Sequence, residues 1–329
     1  MFKNKSLLIT GGTGSFGKAF LKHIIKKYKT FKRIVIFSRD EFKQFELTKI
    51  FPTKKHKFLR YYLGDVRDYD RLKRALENID FVIHAAALKQ VPKAEEDPDE
   101  FIKTNIIGAQ NLIRACLETG VKKVVALSTD KAASPINFYG ATKLCSDKLF
   151  IAANNIKGGR KLNFSIVRYG NVAGSRGSVI PFFKEISHKN IFPITDEEMT
   201  RFWITLEEAV NMVEWSFKNN IGGEIVVPKI KSFRILDLAK AINPKAKIKL
   251  IGIRPGEKIH EDLITKSDSV STYENNKYYL IYPSVIISKN ITKKNKRVKK
   301  NFSFNSGNNQ FMSINEIKRK ISKIDVSNF

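Results

Sequence analysis

Leu7-Leu8-Ile9-Thr10-Gly11-Gly12-Thr13-Gly14-Ser15-Phe16-Gly17 lies near the start of a 329-residue chain and decides how the rest is read. An apolar run without polar alternation is the mark of a strand buried on both faces. The glycines that follow satisfy G-x-x-G-x-x-G and G-x-G-x-x-G at once, and a helical apolar stripe runs on from Phe16 to Lys27. Glycines between a strand and a helix let the backbone turn sharply and approach a pyrophosphate, which then meets the free N–H groups of the helix. The stretch predicts a dinucleotide site formed by Gly11, Thr13, Gly14, Ser15, Phe16 and Gly17.

Further strands are read at Arg33–Phe37, Phe58–Leu63, Asp80–His84, Val124–Ser128 and Ser165–Tyr169, with helix-length stretches between them such as Phe101–Glu118. Strand and helix in regular alternation predict an α/β fold, a Rossmann-like doubly wound parallel sheet over residues 1–171. From Val172 the pattern loosens. Thr205 with Glu208 three residues on is a capping-box signal before a helical stripe. Gly223–Pro228 and Lys247–Gly252 read as short strands, and Pro255–Lys258 as a turn. Residues 172–285 are thus expected to be a smaller mixed α/β substrate-binding domain. Residues 286–329 form a basic, asparagine-rich tail with a short helix at Ile314–Ile321.

Composition narrows the class. The 60 Lys and Arg against 32 Asp and Glu leave a formal charge of +28, but Lys outnumbers Arg 45 to 15 and the excess is spread along the chain. Only Lys289–Lys300 is a dense basic run, so a diffuse lysine bias is favoured over nucleic-acid binding. The 2 cysteines, Cys116 and Cys145, sit in no metal-binding spacing, so no metal is expected. No apolar run approaches the roughly 20 residues of a spanning helix, and the first residues lack a signal-peptide core. The expectation is a cytoplasmic protein without a membrane partner.

The end of the second strand bears on which dinucleotide is bound. An acidic residue there would take the 2′-hydroxyl of NAD. Instead the strand runs into Ser38 and Arg39, with Asp40 and Lys43 following, and a hydroxyl beside a guanidinium suits the 2′-phosphate of NADP. NADP is preferred, with Asp40 as ribose ligand the alternative. Asp65 and Val66 after the third strand, and Ala85 after the fourth, are placed against the cofactor. The fifth strand ends Ser128-Thr129-Asp130-Lys131, and Tyr139-Gly140-Ala141-Thr142-Lys143 follows. Tyr139 and Lys143 share one helical face, where a cationic amine would lower the phenol pKa and equip it as a base.

Taken together, these residues resemble the extended short-chain dehydrogenase/reductase superfamily over about residues 5–285. Ser128–Ala132, Tyr139–Lys143, Tyr169–Pro181, Arg254–Lys258 and the tail segment Asn305–Asn309 are similar to one group within it, the inverting UDP-N-acetylglucosamine 4,6-dehydratases of pseudaminic acid biosynthesis for flagellin glycosylation. The resemblance implies oxidation at sugar carbon 4, loss of water across carbons 5 and 6, and return of hydride to carbon 6 from a tightly bound NADP. It implies Tyr139 with Lys143 and Thr129 at carbon 4. Asp130 would be the acid for the departing hydroxyl, and Lys131 the base at carbon 5 or the group that reprotonates it. A basic lysine would need its pKa lowered, by burial or by cations such as Lys89. It further implies Lys89 and Val172 at the cofactor, and Lys89, Thr104, Asn171, Ser178, Arg201, Arg254 and Glu257 at the UDP-sugar. A homo-oligomer, dimer or hexamer, is implied as well. A UDP-sugar 4- or 5-epimerase of the same fold is the alternative, since it shares the cofactor site but has no need of the Asp130–Lys131 pair.

Overall fold

The computed structural model describes residues 1–175, 177–189, 191–283 and 295–324. Six strands carry the first part of the chain: β1 (Ser6–Thr10), β2 (Arg33–Ser38), β3 (Leu59–Leu63), β4 (Phe81–His84), β5 (Lys123–Thr129) and β6 (Asn163–Tyr169). Helices α1 (Ser15–Lys27), α2 (Glu41–Ile50), α3 (Tyr69–Ala75), α4 (Val91–Glu96), α5 (Pro98–Phe101), α6 (Gly108–Glu118) and α7 (Phe138–Ile156) lie between them. The strands stand in the order β3-β2-β1-β4-β5-β6, all parallel. This is the doubly wound order, whose direction reverses between β1 and β4 and opens a crevice at the carboxyl ends of both.

Alternation on the strands explains why the sheet needs helices on both sides. Leu8, Val35, Phe37, Val82, Val124 and Ala126 face one core, while Leu7, Ile9, Ile34, Ile36, Ile83 and Val125 face the other. Phe2 adds edge-on aromatic contacts to Phe20, Tyr28, Phe81 and Phe217 beneath α1. The stretch Phe101–Glu118, expected as one helix, is divided. Residues Ile102–Ile107 form a wide π-helical turn between α5 and α6. Such turns are rare and cluster at functional sites, and this one carries Thr104 and Asn105.

After β6 the chain adds α8 (Val179–Glu185), β7 (Ile191–Ile194), β8 (Thr200–Phe202), α9 (Leu206–Asn219), β9 (Ile225–Pro228), β10 (Ser232–Arg234), α10 (Ile235–Ile242), β11 (Lys247–Leu250), β12 (Asp262–Ile264), β13 (Thr272–Glu274), β14 (Tyr278–Ile281), β15 (Lys296–Arg297), β16 (Phe304–Asn305) and α11 (Ile314–Ile321). The central sheet crosses the boundary at 171/172. β9 joins β6 in parallel, and β14, β13 and β15 extend the sheet antiparallel to 10 strands among the described residues. Small sheets β8–β10 and β7–β11 build the remainder around a separate core of Phe183, Phe192, Trp203, Leu238 and Ile317, while β12–β16 adds Leu263, Ile264 and Phe304 to the core of the central sheet. The capping box forms as expected: the Thr205 hydroxyl accepts from the Glu208 backbone while the Glu208 carboxylate accepts from the Thr205 N–H. Of the basic run Lys289–Lys300, residues 289–294 lie outside the described residues, as does Arg176 within Tyr169–Pro181.

Candidate active site

The crevice between β1 and β4 is floored by the glycine turn. Gly11 has φ +63°, a left-handed conformation that costs other residues strain, and a Cβ on it would lie 2.8 Å from the Ala86 nitrogen. Gly14 caps α1 with no side-chain bond, and the first helical turn carries no acidic residue, so its N–H groups face the crevice without an anion of their own. Both features fit a dinucleotide pyrophosphate. At the end of β2 the Asp40 carboxylate accepts from the Lys43 N–H at 2.8 Å and pairs with its ammonium at 2.6 Å, which occupies it as the cap of α2. Ser38 is buried and its hydroxyl accepts from Gln44, whereas Arg39 is exposed, 3.5 Å from Asp65. Asp65 itself is held by the Arg67 backbone and guanidinium, both at 2.9 Å.

At the carboxyl end of β5 the chain makes one tight 3-10 turn, Asp130–Ala132, and returns in α7. Asn137 caps α7 through the Gly140 N–H and also donates to the Gly256 carbonyl, so one side chain ties the helix to the Pro255–Lys258 turn. Lys258 reaches back to the Ala133 carbonyl at 2.8 Å. The structure thereby brings Thr129, Asp130, Lys131, Tyr139 and Lys143 together. The Thr129 hydroxyl donates to Asp130 at 2.9 Å, and the Lys131 ammonium lies 3.1 Å from the same Asp130 oxygen.

Two electrostatic expectations are corrected. Lys143 donates to the Leu127 carbonyl at 2.9 Å, and burial pushes the Tyr139 phenol up to about 12. Lys131 and the Thr129 hydroxyl oppose that rise. The pKa of Lys131 is raised, not lowered: burial works against its charge, but the Asp130 and Glu261 carboxylates together outweigh burial. Arg201 is a cation that opposes them. Asp130 moves upward because it is buried, with Glu261 adding to the rise and Lys131 resisting it.

Residues from the second part of the chain complete the site. Arg201 and Arg254 both pair with Glu257, at 3.5 and 3.0 Å, and Arg201 also lies 3.9 Å from Glu261. Thr104, Asn171 and Ser178 each hold a buried side-chain oxygen without a protein partner, as do Asp130 and Glu261. Buried polar atoms of folded proteins are nearly always satisfied, so these fit a polar ligand, although Ser6, Ser146, Arg168, Trp203 and Asn220 hold such atoms as well. Lys89 is exposed beside the crevice, and Val172 bridges to Ile204. Among the described residues no cluster of three or more His, Cys, Asp or Glu could hold a metal, and no helix is long and apolar enough to cross a membrane.

A family described as polysaccharide biosynthesis protein matches residues 7–283. The inverting UDP-N-acetylglucosamine 4,6-dehydratase of Campylobacter jejuni is 54% identical over 319 residues, 94% of each chain. The chain belongs to this family. It groups with the inverting UDP-N-acetylglucosamine 4,6-dehydratases within the extended short-chain dehydrogenase/reductases. Family members under another name are also similar, among them a UDP-glucose 4-epimerase of Rickettsia bellii, 41% identical over 99% of this chain and 97% of its own. Pen from Bacillus thuringiensis has the same fold, with a TM-score of 0.90 at 38% identity and 98% coverage of both chains.

The strands and helices of the site place further groups that sequence reading passed over. Asp147, one helical turn beyond Lys143, accepts from the Ser128 hydroxyl at 2.7 Å and lies 3.4 Å from the buried Arg168. Its spacing to Lys143 was the available signal. Asn105 brackets Leu88 with two bonds of 2.9 Å and reaches the Thr142 hydroxyl at 3.0 Å, fixing the loop after β4 against α7. His84 hydrogen-bonds Thr10 at 2.9 Å and is kept neutral by burial, its pKa down to about 3. Glu261 had no local signal at all.

Proposed function

We propose that the chain is a UDP-N-acetylglucosamine 4,6-dehydratase, a hydro-lyase that inverts sugar carbon 5 and gives UDP-2-acetamido-2,6-dideoxy-β-L-arabino-hex-4-ulose. The observation that carries this reading is the pairing of buried Asp130 with partly buried Lys131, set on one turn between β5 and the helix of Tyr139. Elimination requires an acid at the leaving hydroxyl together with separate proton traffic at carbon 5, whereas a 4-epimerase requires neither and a 5-epimerase has no leaving hydroxyl to protonate.

Residues 1–171 bind NADP and residues 172–285 the UDP-sugar, with the tail bracing the second part. Two observations support NADP: Asp40 is occupied as a helix cap, and Arg39 is exposed at the end of β2. NADP, when bound, would supply the hydride chemistry: an acceptor for the hydrogen of carbon 4 and its return to carbon 6. Tyr139 takes the proton of the 4-hydroxyl, with the Lys131 ammonium and the Thr129 hydroxyl favouring its phenolate against burial, and Lys143, which donates to the Leu127 carbonyl, stands one turn further along α7. Asp130, whose burial favours the protonated form, gives its proton to the 6-hydroxyl as it leaves as water, and the carboxylate so freed takes the proton of carbon 5. Lys131 rests as an ammonium and gives its proton to carbon 5 on the face opposite the one that lost a proton. Two protons leave the sugar and two are supplied, so the turnover balances with loss of one water. Arg201, Arg254 and Glu257 serve the uridine diphosphate; Lys89, Thr104, Asn171 and Ser178 serve the sugar and phosphates. The enzyme works as a cytoplasmic homo-oligomer and supplies the first step of pseudaminic acid biosynthesis for flagellin glycosylation.

Incubation with UDP-N-acetylglucosamine in heavy water tests this, read by mass spectrometry and proton NMR. Loss of one water with deuterium at carbon 5 and L-arabino configuration is expected. An unchanged mass with an altered ring would establish the epimerase that the Rickettsia relatives bring into view, and would remove Asp130 and Lys131 from their roles.

A further inference from the structure

Lys131 is clamped by two carboxylates, and only one of them belongs to its own turn. Glu261, 2% exposed and just ahead of β12, places one oxygen 3.1 Å from the Lys131 ammonium. The tail fixes Glu261 there. The Glu261 N–H donates to the Ser306 hydroxyl at 2.9 Å, and the Ser306 N–H donates to the Glu261 carbonyl at 2.8 Å. Ser306 is fully buried and its hydroxyl also bonds Thr200 at 2.7 Å, next to Arg201. The second Glu261 oxygen has no protein partner.

We propose that Glu261 is the positioning residue that holds the Lys131 ammonium for proton delivery at carbon 5, and that the tail segment Asn305–Asn309 serves the reaction by seating it. This rests on the dehydratase reading. Asp130 alone cannot hold the ammonium, because it must be protonated, and so uncharged, when the elimination begins. A second carboxylate that stays ionised keeps Lys131 charged and in place throughout. Glu261 is such a carboxylate, since burial opposes its charge but Lys131 and Arg201 outweigh burial and lower its pKa. The charged and titratable groups acting on the pair are Asp130 on the same turn, Tyr139 from α7, Arg201 from β8 and Lys258 from the Pro255–Lys258 turn.

The test is the titration of Lys131 in the full chain, independent of turnover. The protein is pulsed with an amine-acylating ester across the alkaline range, and labelling of Lys131 is read by peptide mass spectrometry against the exposed Lys93. In Glu261→Gln, the Lys131 midpoint should fall by about one pH unit, so labelling at a fixed pH rises about tenfold. Glu261→Asp should restore most of the shift, and Ser306→Ala should give a smaller change in the same direction. If the Gln variant does not fold, the Asp and Ser306→Ala variants carry the comparison. An unmoved midpoint overturns the proposal. With UDP-N-acetylglucosamine, Glu261→Gln should still reduce its cofactor but form dehydrated product at least about tenfold more slowly. Equal slowing of both halves also overturns it. Absence of dehydration by the wild type would sink the functional reading instead, and leaves the titration standing by itself.

Discussion

A phenol that is 8% exposed and faces a buried acid is a poor base at rest, and Tyr139 is such a group, held at about 12 by burial. The Lys131 ammonium and the Thr129 hydroxyl lower it only in part. A raised pKa means that the phenolate fraction grows tenfold per pH unit below that value, so oxidation at carbon 4 should quicken as pH rises through the neutral range. Tyr139→Phe should lose this slope and slow cofactor reduction by about 10²- to 10⁴-fold, the usual range for a general base. Stopped-flow absorbance of the reduced nicotinamide measures both. A variant that reduces its cofactor at the wild-type rate would take Tyr139 out of the chemistry.

At the scale of elements, the junction of the 3-10 turn with α7 sets the site, and Gly140 makes it possible. A Cβ on Gly140 would collide with the Lys131 carbonyl, and would also lie 3.1 Å from the Pro135 side chain. The obstacle on one side is backbone, which cannot swing away as a side chain would. Gly140→Ala should therefore push the Asp130–Ala132 turn off α7 and cost about 1–3 kcal/mol, the overpacking range. Activity should fall far more than stability, because displacement of about 1 Å at reacting groups can cost 10²-fold. Thermal unfolding and dehydratase rate, measured on the same sample, check the pair. Much here was legible in sequence. β1, β2 and β4 carry apolar runs that only a sheet covered on both sides can bury, and Tyr139 with Lys143 is a local spacing. The π turn at Ile102–Ile107 was not legible, because its residues continue the apolar pattern of an ordinary helix. Nor was Glu261, whose partner Lys131 is brought to it by folding across half the chain. Asp40 was visible as a residue but not as a cap, since capping depends on where the helix starts.

The whole molecule is held together by what the last described residues do. Phe304 packs on Phe202 and Tyr279 under the central sheet, Ser306 seats Glu261, and Met312, Ile317 and Ile321 fill the separate core beside Trp203 and Leu238. Each buried apolar side chain of this size contributes about 1.5–3 kcal/mol, so removal of four approaches the total stability of a typical domain. The core on the Leu7, Ile9, Ile34, Ile36 and Ile83 face of the central sheet holds no described tail residue and is untouched by that loss, while the core on the opposite face loses only Phe304. Deletion of residues 303–329 should therefore unfold the second part selectively. Hydrogen exchange should rise steeply in β8, β10, α10 and β12 while β1, β2 and β4 stay protected, and dinucleotide binding should outlast binding of UDP-sugar. Global loss of protection would show instead that the two cores fold as one cooperative unit, with the extension of the sheet by parallel β9 and antiparallel β14 and β13 as the coupling.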